Sequence, residues 1–407
     1  MIADIKADTT VEDRGETISM MDPLLLSEDS RHRDRLTDLA LELAQKSAGF
    51  RRSLPPSLLA SLATLVRSMN CYYSNLIEGH DTHPVDIERA LKHDLSNDIH
   101  KRDLQLEATA HIQVQRWIDE KGLKDVKATS VEGICEIHRR FCELLPDDLL
   151  WVEDPETKER IRVIPGELRT RNVQVGRHIA ISPGAVPRFQ RRFENVFGNL
   201  GRTASILSTA AAHHRLTWIH PFLDGNGRVA RLMSHAMMLD TLDTGSVWSV
   251  ARGLARNAEQ YKSLLSNCDM PRRNELDGRG TLSEEALAAF TEFFLTVCID
   301  QVTFMEGLMQ PEHLRARILL WTEEEIRLGH LPPKSGAVLE AILYRGELPR
   351  GEAVTVVGTG VRQARRIVTS LLERGVLESE TPRAPLRLTF PAALGSRWMP
   401  GLFPGQV

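Results

Sequence analysis

The sequence predicts a mainly α-helical protein with a β-hairpin flap in its middle and a winged helix-turn-helix module at its C-terminal end. Three observations support this fold class. Apolar residues recur at three- and four-residue spacing through most of the chain, as they do on the buried face of a helix. Residues 159–181 are instead rich in Val and Ile around Pro165-Gly166, which is typical of a hairpin. Beyond residue 331, three helical segments precede two strand-like segments, which is the order of a winged helix.

The composition is that of an ordinary globular protein. Of the 407 residues, 42% are hydrophobic and 26% are charged, and the length exceeds that of one domain. The formal net charge of −4 gives no overall reason to expect a nucleic-acid or membrane partner. No apolar run approaches the ~20 residues that span a bilayer and no secretion leader is recognisable, so we expect a cytoplasmic protein. The five cysteines lack a C-x-x-C pair and are expected to be reduced thiols.

Helices are predicted along most of the chain that follows an N-terminal arm, residues 1–49. The first, about residues 54–79, has an apolar face, prolines in its first turn and Gly79 at its end. Periodicity predicts further helices at 87–93, 104–118, 131–144, 188–197, 203–219, 229–240, 257–267, 284–308 and 313–325.

The C-terminal module is predicted over residues 331–407, and a connecting helix within 311–330 joins it to a core domain of residues 50–310. Its helices are predicted at 337–344, 352–356 and 361–372, with strands at 376–377 and 386–389. Arg362, Arg365 and Arg366 share one side of the third helix, where they could contact DNA phosphates. Protein docking is favoured over DNA as the role of this module, because the chain lacks a dense basic patch.

The most informative segment, residues 220–231, reads HPFLDGNGRVAR. A helix ends before Pro221, because a residue preceding proline disfavours the α region. Gly225 and Gly227 allow positive φ and close approach of a ligand to the backbone. A second helix begins near Asn226, and a glycine-rich turn that opens a helix directs free N–H groups at one point, which suits a phosphate.

Charged side chains surround this turn. Arg228 and Arg231 are three residues apart on the second helix, and guanidinium groups bind phosphate oxygens in bidentate fashion. Asp224 could hold Mg²⁺ together with phosphate oxygens. His220 is largely neutral at pH 7 with its ordinary pKa, as a general base must be. These residues together predict a nucleotide-phosphate site with a base beside it.

The segment resembles the Fic motif, HPF-x-[DE]-GNGR-x-x-R, at every specified position. Residues 164–169, 212–216 and 252–257 also resemble the family, and the likeness covers about residues 54–308. The resemblance implies a Fic-fold helical core and protein adenylyltransferase activity. In that reaction AMP moves from ATP to a hydroxyl of a target protein, or of the chain itself, and pyrophosphate leaves.

The resemblance also implies roles for individual residues. His220 would deprotonate the target hydroxyl, and Asp224 would bind the Mg²⁺ or Mn²⁺ that bridges the α- and β-phosphates. Arg228 would bind the β-phosphate and Arg231 the γ-phosphate. Tyr261 would lie near the adenine, with packing between helices as its alternative role. The ATP-binding residues implied in this way are Gly225, Asn226, Gly227, Arg228, Arg231 and Tyr261.

Two further segments resemble parts of the family outside the motif. Val173, Gln174, Val175 and Gly176 match a target-docking flap, whose edge could pair with an extended target segment through main-chain hydrogen bonds. Ser74 and Glu78 match the inhibitory pattern [ST]-x-x-x-E-[GN], four residues apart on one helix face. The resemblance implies that Glu78 pairs with Arg231 and places negative charge where the γ-phosphate must lie, which would make the enzyme autoinhibited.

Two alternative functions stay open. A de-AMPylase would use the same site to remove AMP from a modified target. A nucleotide-sensing DNA-binding regulator would use only the binding groups, and the intact His220 argues against it because a sensor needs no base. Homodimer formation and the identity of the target protein also stay open.

Overall fold

The computed structural model describes residues 11–154, 157–242 and 244–403. It divides into two compact units, each built from three separate stretches of chain. Unit 1 contains the residues up to Leu41, Gln113–Thr241 and Asn257–Thr296, whereas unit 2 contains Glu42–Ile112, Leu242–Arg256 and the residues from Val297 onward.

The described residues are mainly helical, as the periodicity predicted. The helices are α1 (Arg33–Ser53), α2 (Pro56–Ile77), α3 (Pro84–Leu91), α4 (Ile99–Asp119), α5 (Val131–Glu143), α6 (Val186–Phe197), α7 (Arg202–Ile219), α8 (Asn226–Leu242), α9 (Val250–Arg256), α10 (Ala258–Asn267), α11 (Glu284–Met309), α12 (Pro311–Arg327), α13 (Ser335–Arg345), α14 (Ala353–Val357), α15 (Val361–Glu373) and α16 (Gly395–Trp398).

The strands form three small antiparallel sheets. They are β1 (Trp151–Glu153), β2 (Arg160–Arg162), β3 (Gln174–Val175), β4 (His178–Ile179), β5 (Glu347–Leu348), β6 (Leu377–Glu378) and β7 (Leu386–Leu388). β1 pairs with β2, β3 pairs with β4, and the last three strands lie in the order β5-β7-β6.

Three helices lie where the sequence predicted none: α1, which lies mostly in the expected N-terminal arm, α9 after α8, and the four-residue α16 near the C-terminal end. The segment of α1 is rich in charged residues, which conceals its apolar stripe. Leu36, Leu39, Leu43 and Phe50 nevertheless recur on one face, and all four are buried. Tertiary packing of this narrow stripe stabilises a helix that composition alone does not suggest.

The region between α5 and α6 contains two hairpins where one was predicted. Residues 159–164 do not pair with residues 172–181; they pair back onto the chain that follows α5, with Val152 opposite Ile161. β3 and β4 form the second hairpin, with Gln174 opposite Ile179 and a turn at Gly176. The sequence did not predict β1, whose three residues pair with β2.

The segment that precedes α1 packs along unit 1 as an extended strap, residues 11–17. The Glu12 carbonyl accepts from the Gly184 N–H at 2.8 Å, and the Arg14 side chain donates to the Ala180 carbonyl at 3.0 Å. Both carboxylate oxygens of Glu16 accept from Ser182, at 2.7 Å from its N–H and 2.6 Å from its hydroxyl. The described part of the predicted arm is thus bound to the chain that leads out of the second hairpin.

The C-terminal module has the predicted order of helices and strands, with β5 as an additional strand. α15 packs on α13, α14 and β6 through Ala364, Ile367, Val368 and Leu371, which are buried. Apart from Val361, the exposed surface of α15 is mainly polar, as expected for the outer helix of a small module.

One helix among the described residues, α11, is long and apolar enough to cross a membrane by length and composition alone. In its most apolar window, 61% of the residues are buried inside the protein. Packing within the fold therefore accounts for its apolar character. All five cysteines are free thiols, and all but Cys135 are buried.

Candidate active site

The predicted phosphate segment is a short loop between α7 and α8, within unit 1. α7 ends at Ile219 and α8 begins at Asn226, as the proline and glycine signals indicated. His220 caps α7 in the left-handed conformation, with φ 51° and ψ 63°, and its N–H donates to the Leu216 carbonyl at 3.0 Å. Residues with a side chain rarely adopt this conformation, and strain of this kind concentrates at functional sites.

The backbone around His220 fixes the tautomer of its ring. Nδ1 lies 3.3 Å from the Thr217 carbonyl, and a carbonyl only accepts, so Nδ1 carries the proton. Nε2 therefore keeps its lone pair. Burial lowers the pKa of His220 to about 4, so the ring is neutral at pH 7. The side chain has the protonation state that a general base requires.

Arg169 ties this loop to the flap hairpin. Its side chain donates to the carbonyls of His220 at 2.7 Å, Ile181 at 2.6 Å and Arg171 at 2.9 Å, while its own N–H donates to the Pro221 carbonyl. The residue is 3% exposed, and burial lowers its pKa to about 10. One planar guanidinium thus binds the backbone of both the loop between α7 and α8 and the flap, which a lysine could not do.

His138, from α5, supports the loop from the other side. Its ring stacks on Phe222 with centroids 3.8 Å apart and planes 2° from parallel. Nδ1 accepts from the Gly166 N–H at 2.9 Å, so this ring is neutral as well. Burial lowers the pKa of His138 to about 4, against the effect of a backbone hydrogen bond with Asp224. The loop therefore rests on a fully buried, uncharged aromatic stack.

The glycines and Asn226 shape the loop in different ways. Gly225 has φ 80°, as predicted, whereas Gly227 lies in the first turn of α8 and does not have positive φ. The side chain of Asn226 is 3% exposed and bonds the Phe222 backbone twice, at 3.0 Å and 2.9 Å. It therefore closes the loop, and the contribution left to Asn226 and Gly227 in binding a phosphate is the N–H groups of the first helical turn.

The charged residues of the motif lie in the loop and in the first two turns of α8. Arg228 is 8% exposed, and its guanidinium lies 5.1 Å from the centre of the Phe141 ring. Asp224 is exposed, and its carboxylate lies 3.7 Å from Nη2 of Arg228. Arg231 follows one turn later and is 3% exposed. Two immobilised guanidiniums and one accessible carboxylate thus flank the helix N-terminus, which suits a polyphosphate.

A magnesium ion fits this donor set only in company with a nucleotide. The described residues contain no group of three or more His, Cys, Asp or Glu that could hold a metal by themselves. Asp224 offers one accessible carboxylate, and Mg²⁺ commonly binds one or two carboxylates together with substrate phosphates. Asp224 is the residue that would hold the ion here.

The flap hairpin presents an open surface beside this loop. β3 and β4 form a sheet of two strands, so within the described residues no further strand covers their outer edges. Val175 is 51% exposed and Ile179 is 66% exposed. Of the four predicted flap residues, Gln174 and Val175 form β3, Gly176 forms the turn with φ 59°, and Val173 accepts from the Ala180 N–H.

Tyr261 lies in the interior of unit 1 rather than on an exposed wall. It is 3% exposed, and its hydroxyl bonds Nε2 of the buried His213 at 2.8 Å. His213 bonds the hydroxyl of Ser234 through its other nitrogen, at 3.0 Å. Tyr261 thus links α10 to α7 and α8, as its alternative packing role requires.

A second polar network fixes the flap strand β4. The Asp269 carboxylate bonds His214 of α7 at 2.9 Å and lies 3.6 Å from Nδ1 of His178. Nε2 of His178 bonds the Trp218 carbonyl at 2.8 Å. The fully buried Arg215 donates to Nδ1 of His214 at 2.6 Å. The flap is therefore anchored to the end of the helix that carries His220.

Arg169, His138 and Asp269 received no role from the sequence. Arg169 lies in the segment 164–169 that resembles the family, which was the available signal, but its partners are carbonyls that no side-chain pattern reveals. Ser74 and Glu78, which were singled out, lie in unit 2. Ser74 is fully buried in α2, and Glu78 is an exposed residue that caps the C-terminus of that helix.

Comparisons with known proteins bear on the same segment. A family model described as Fic/DOC family matches residues 128–238. The protein adenylyltransferase Fic of Drosophila erecta is 26% identical over 224 residues, which are 52% of this chain and 42% of that protein. The Drosophila melanogaster protein of the same name is 32% identical over 112 residues, 27% of this chain and 20% of that protein. The matches thus cover less than half the length of these relatives.

Among solved structures, a Fic family protein from Desulfovibrio desulfuricans G20 superposes with a TM-score of 0.51 at 17% identity. The match covers 90% of this chain and 98% of that one, so it concerns the fold of nearly the whole molecule. The matched family segment contains the flap, α5, α7, the loop and most of α8. Residues 128–238 therefore match the Fic/DOC family model, and the fold of the chain resembles that of a Fic family protein.

Proposed function

We propose that the chain is a protein adenylyltransferase, which transfers AMP from ATP to a side-chain hydroxyl of a target protein and of itself. The observation that carries this proposal is the arrangement of the loop. A neutral histidine with a free Nε2 stands directly before a helix N-terminus that carries two buried arginines. The names of the curated relatives support the same reaction.

The residues of the loop fit nucleotide transfer in the following way. The target hydroxyl oxygen attacks the α-phosphorus of ATP, the bond from that phosphorus to the bridging oxygen of pyrophosphate breaks, and the hydroxyl proton passes to Nε2 of His220. The first-turn N–H groups of α8 hold the α- and β-phosphates, and Arg228 and Arg231 hold the leaving β- and γ-phosphates. Most of the rate enhancement then comes from positioning and charge stabilisation.

The pKa of His220 fits this role only when the nucleotide is bound. A base with a pKa of about 4 is weak at pH 7. Bound phosphate brings negative charge close to the imidazole, which favours its protonated form and raises its pKa. A divalent cation bound by Asp224 would neutralise part of the phosphate charge and polarise the phosphoryl group.

We further propose that the flap binds the target as an added strand. Main-chain pairing with β3 or β4 would align an extended segment, and Val175 and Ile179 would contact its side chains. Because main-chain bonds carry little sequence information, the flap would accept targets of different sequence. Support for this proposal is the pair of open edges and the exposed apolar side chains on them.

Autoinhibition by Glu78 is also a proposal, supported by the pattern from Ser74 to Gly79 and by the helix end. Glu78 caps α2, where the helix dipole disfavours a carboxylate unless a cation lies near. In the family pattern that cation is the second arginine of the motif, here Arg231. Occupying Arg231 would deny it to the γ-phosphate and leave ATP in a non-productive pose.

The reaction is tested with ATP labelled at either the α- or the γ-phosphate. Label from the α-position should appear on the protein and label from the γ-position should not, which separates AMP transfer from phosphate transfer. His220→Ala should lower incorporation by about 10²–10⁴-fold while ATP binding persists. The exposed His313 provides the matched control, His313→Ala, which should keep the parent rate. Incorporation by His220→Ala within a few-fold of the parent would remove His220 from its role.

The inhibitory role is tested by comparing Glu78→Gly with Glu373→Gly. Both glutamates are exposed at the C-terminal end of a helix in unit 2, so both changes cost similar helix stability. Only Glu78→Gly should raise α-label incorporation, by at least about tenfold, which equals 1.4 kcal/mol. Equal incorporation by the two variants and the parent would refute autoinhibition. Loss of AMP release from a pre-modified target in Glu78→Gly would support the de-AMPylase alternative.

A further inference from the structure

The C-terminal module presents one helix with an unusual surface. α14 and α15 are joined by residues 358–360, with Gly358 at φ 60°, a turn of the length found in helix-turn-helix motifs. α15 buries Ala364, Ile367 and Leu371 against the module. Its opposite face, and especially its first half, is open to solvent. In helix-turn-helix proteins the N-terminal half of the second helix is the part that reaches DNA bases.

That exposed half is basic and carries no compensating acid. Arg362, Arg365 and Arg366 are exposed, and within the described residues none of the three makes an ion pair or a side-chain hydrogen bond. The acidic residue of the same helix, Glu373, lies at its far end. Elsewhere in the module four acids are already paired, Glu347 and Glu380 with Arg387, Glu352 with Arg345 and Glu340 with Arg315.

The charge of the module departs from that of the whole chain. Residues 331–407 contain ten Lys or Arg and six Asp or Glu, a formal net charge of +4, whereas the whole chain carries −4. The rest of the protein therefore carries −8. A positive module on a negative protein gives a directed electrostatic attraction for a polyanion, which overall composition conceals.

We propose that this face of α15 binds double-stranded DNA, with α15 in the major groove. Arg362, Arg365 and Arg366 would contact phosphates or guanine edges, and the exposed Gln363 could bond adenine. Val361, which is 53% exposed at the first position, could contact a thymine methyl group. The N-cap Gly360 provides no side-chain hydrogen bond, so the first N–H groups of α15 remain available to a phosphate.

The side chains favour DNA over an acidic protein. An acidic protein partner would need an apolar centre to bury, and in the first half of α15 Val361 is the one apolar side chain that is exposed. Arginine and glutamine in consecutive positions are the residues that form bidentate bonds with base edges. This binding is independent of the proposed AMP transfer, because the module lies outside the matched family segment.

The test is fluorescence anisotropy of the full chain with a pool of short duplexes of random sequence. Three phosphate contacts predict that affinity falls about 40-fold between 50 mM and 200 mM salt. The triple variant Arg362→Gln, Arg365→Gln, Arg366→Gln should lose most of the binding and about two to three units of the salt slope. The control is Arg102→Gln, Lys121→Gln, Lys124→Gln, which removes three exposed charges elsewhere and should bind as the parent does.

Each outcome decides the proposal. Duplex binding that fails only in the α15 variant, with normal circular dichroism and unchanged self-labelling, supports it. No binding at 50 mM salt, or equal loss in both triple variants, overturns it. Equal affinity of the parent for polyglutamate and for duplex DNA would also overturn it, because the face would then attract any polyanion, acidic proteins included.

Discussion

Replacing Arg169 by lysine tests whether one side chain holds the flap and the loop between α7 and α8 together. Lysine keeps the charge but presents a single ammonium group instead of a planar fork. It can reach the loop or the flap, and two of the three short bonds, to His220, Ile181 and Arg171, are then lost. Hydrogen bonds to charged groups contribute about 1.5–3 kcal/mol each, and water can enter part of the space. We expect the free energy of unfolding to fall by about 2–4 kcal/mol.

The catalytic effect should be of similar size. His220 would lose the bond that fixes its carbonyl, and displacement of a reacting group by ~1 Å can cost about 10²-fold in rate. The assays are urea unfolding followed by circular dichroism, and incorporation of α-labelled AMP. The matched control is Arg171→Lys, because Arg171 is exposed and forms a surface pair with Glu159 at 3.3 Å. That change should cost less than about 1 kcal/mol.

Stability of Arg169→Lys equal to that of Arg171→Lys would refute the reasoning, whatever happens to activity. A large loss of stability without a loss of activity would show that Arg169 stabilises the fold but does not position His220. Hydrogen–deuterium exchange measures each partner of Arg169 separately, and in Arg169→Lys we expect faster exchange both in the flap and in residues 219–222.

Three further predictions follow from the buried and strained groups. Burial lowers the pKa of His138 to about 4, so stability is highest above pH 6.5, where the ring is neutral in both the folded and the unfolded chain, and falls as the pH falls toward 4. The variant His138→Asn can still accept from the Gly166 N–H, and it should reduce the slope of unfolding free energy against pH in this range by about 1.4 kcal/mol per pH unit. An unchanged slope would contradict this prediction. If His220 is the base, kcat/KM should decrease on acidification only below about pH 4, the pKa of the free enzyme. The decrease in kcat on acidification should begin at a higher pH than that, because bound phosphate raises the pKa of the ring. A decrease in kcat/KM centred near pH 6.5 would be inconsistent with a buried ring. Glu16→Ala should lower the unfolding free energy by about 1–3 kcal/mol, because Ser182 loses its hydrogen-bond acceptor. The control Glu28→Ala, at an exposed position, should cause almost no change. Equal melting temperatures of the two variants would show that the strap does not stabilise the fold.

The sequence predicted most of the helices and the loop because both depend on local signals. Apolar periodicity located α2 and α4 to α8 to within a few residues, and Pro221 and Gly225 located the loop between α7 and α8. Each of these signals is read within a few neighbouring residues. The role of Asn226 was missed because its amide bonds a backbone four residues earlier, which residue type alone does not reveal.

The rest depended on contacts between distant segments. Arg169 reaches carbonyls fifty residues away, and the strap meets residues near 180. β1 is too short to have a pattern, and it exists because β2 pairs with it. Such partners are chosen by tertiary packing, which a single sequence does not encode in any window of neighbouring residues.

The left-handed backbone of His220 places a cost on the residue that we propose as the general base. Glycine would adopt that conformation without penalty and asparagine with little, so exchange to either would relieve backbone strain while removing the base. Selection for stability and selection for activity therefore act in opposite directions at this position. A homologue that has given up catalysis should drift toward glycine or asparagine there, while the surrounding supports, Arg169 and the His138–Phe222 stack, persist for the fold alone. The residue at this position would then serve as a record of whether a lineage still uses the site.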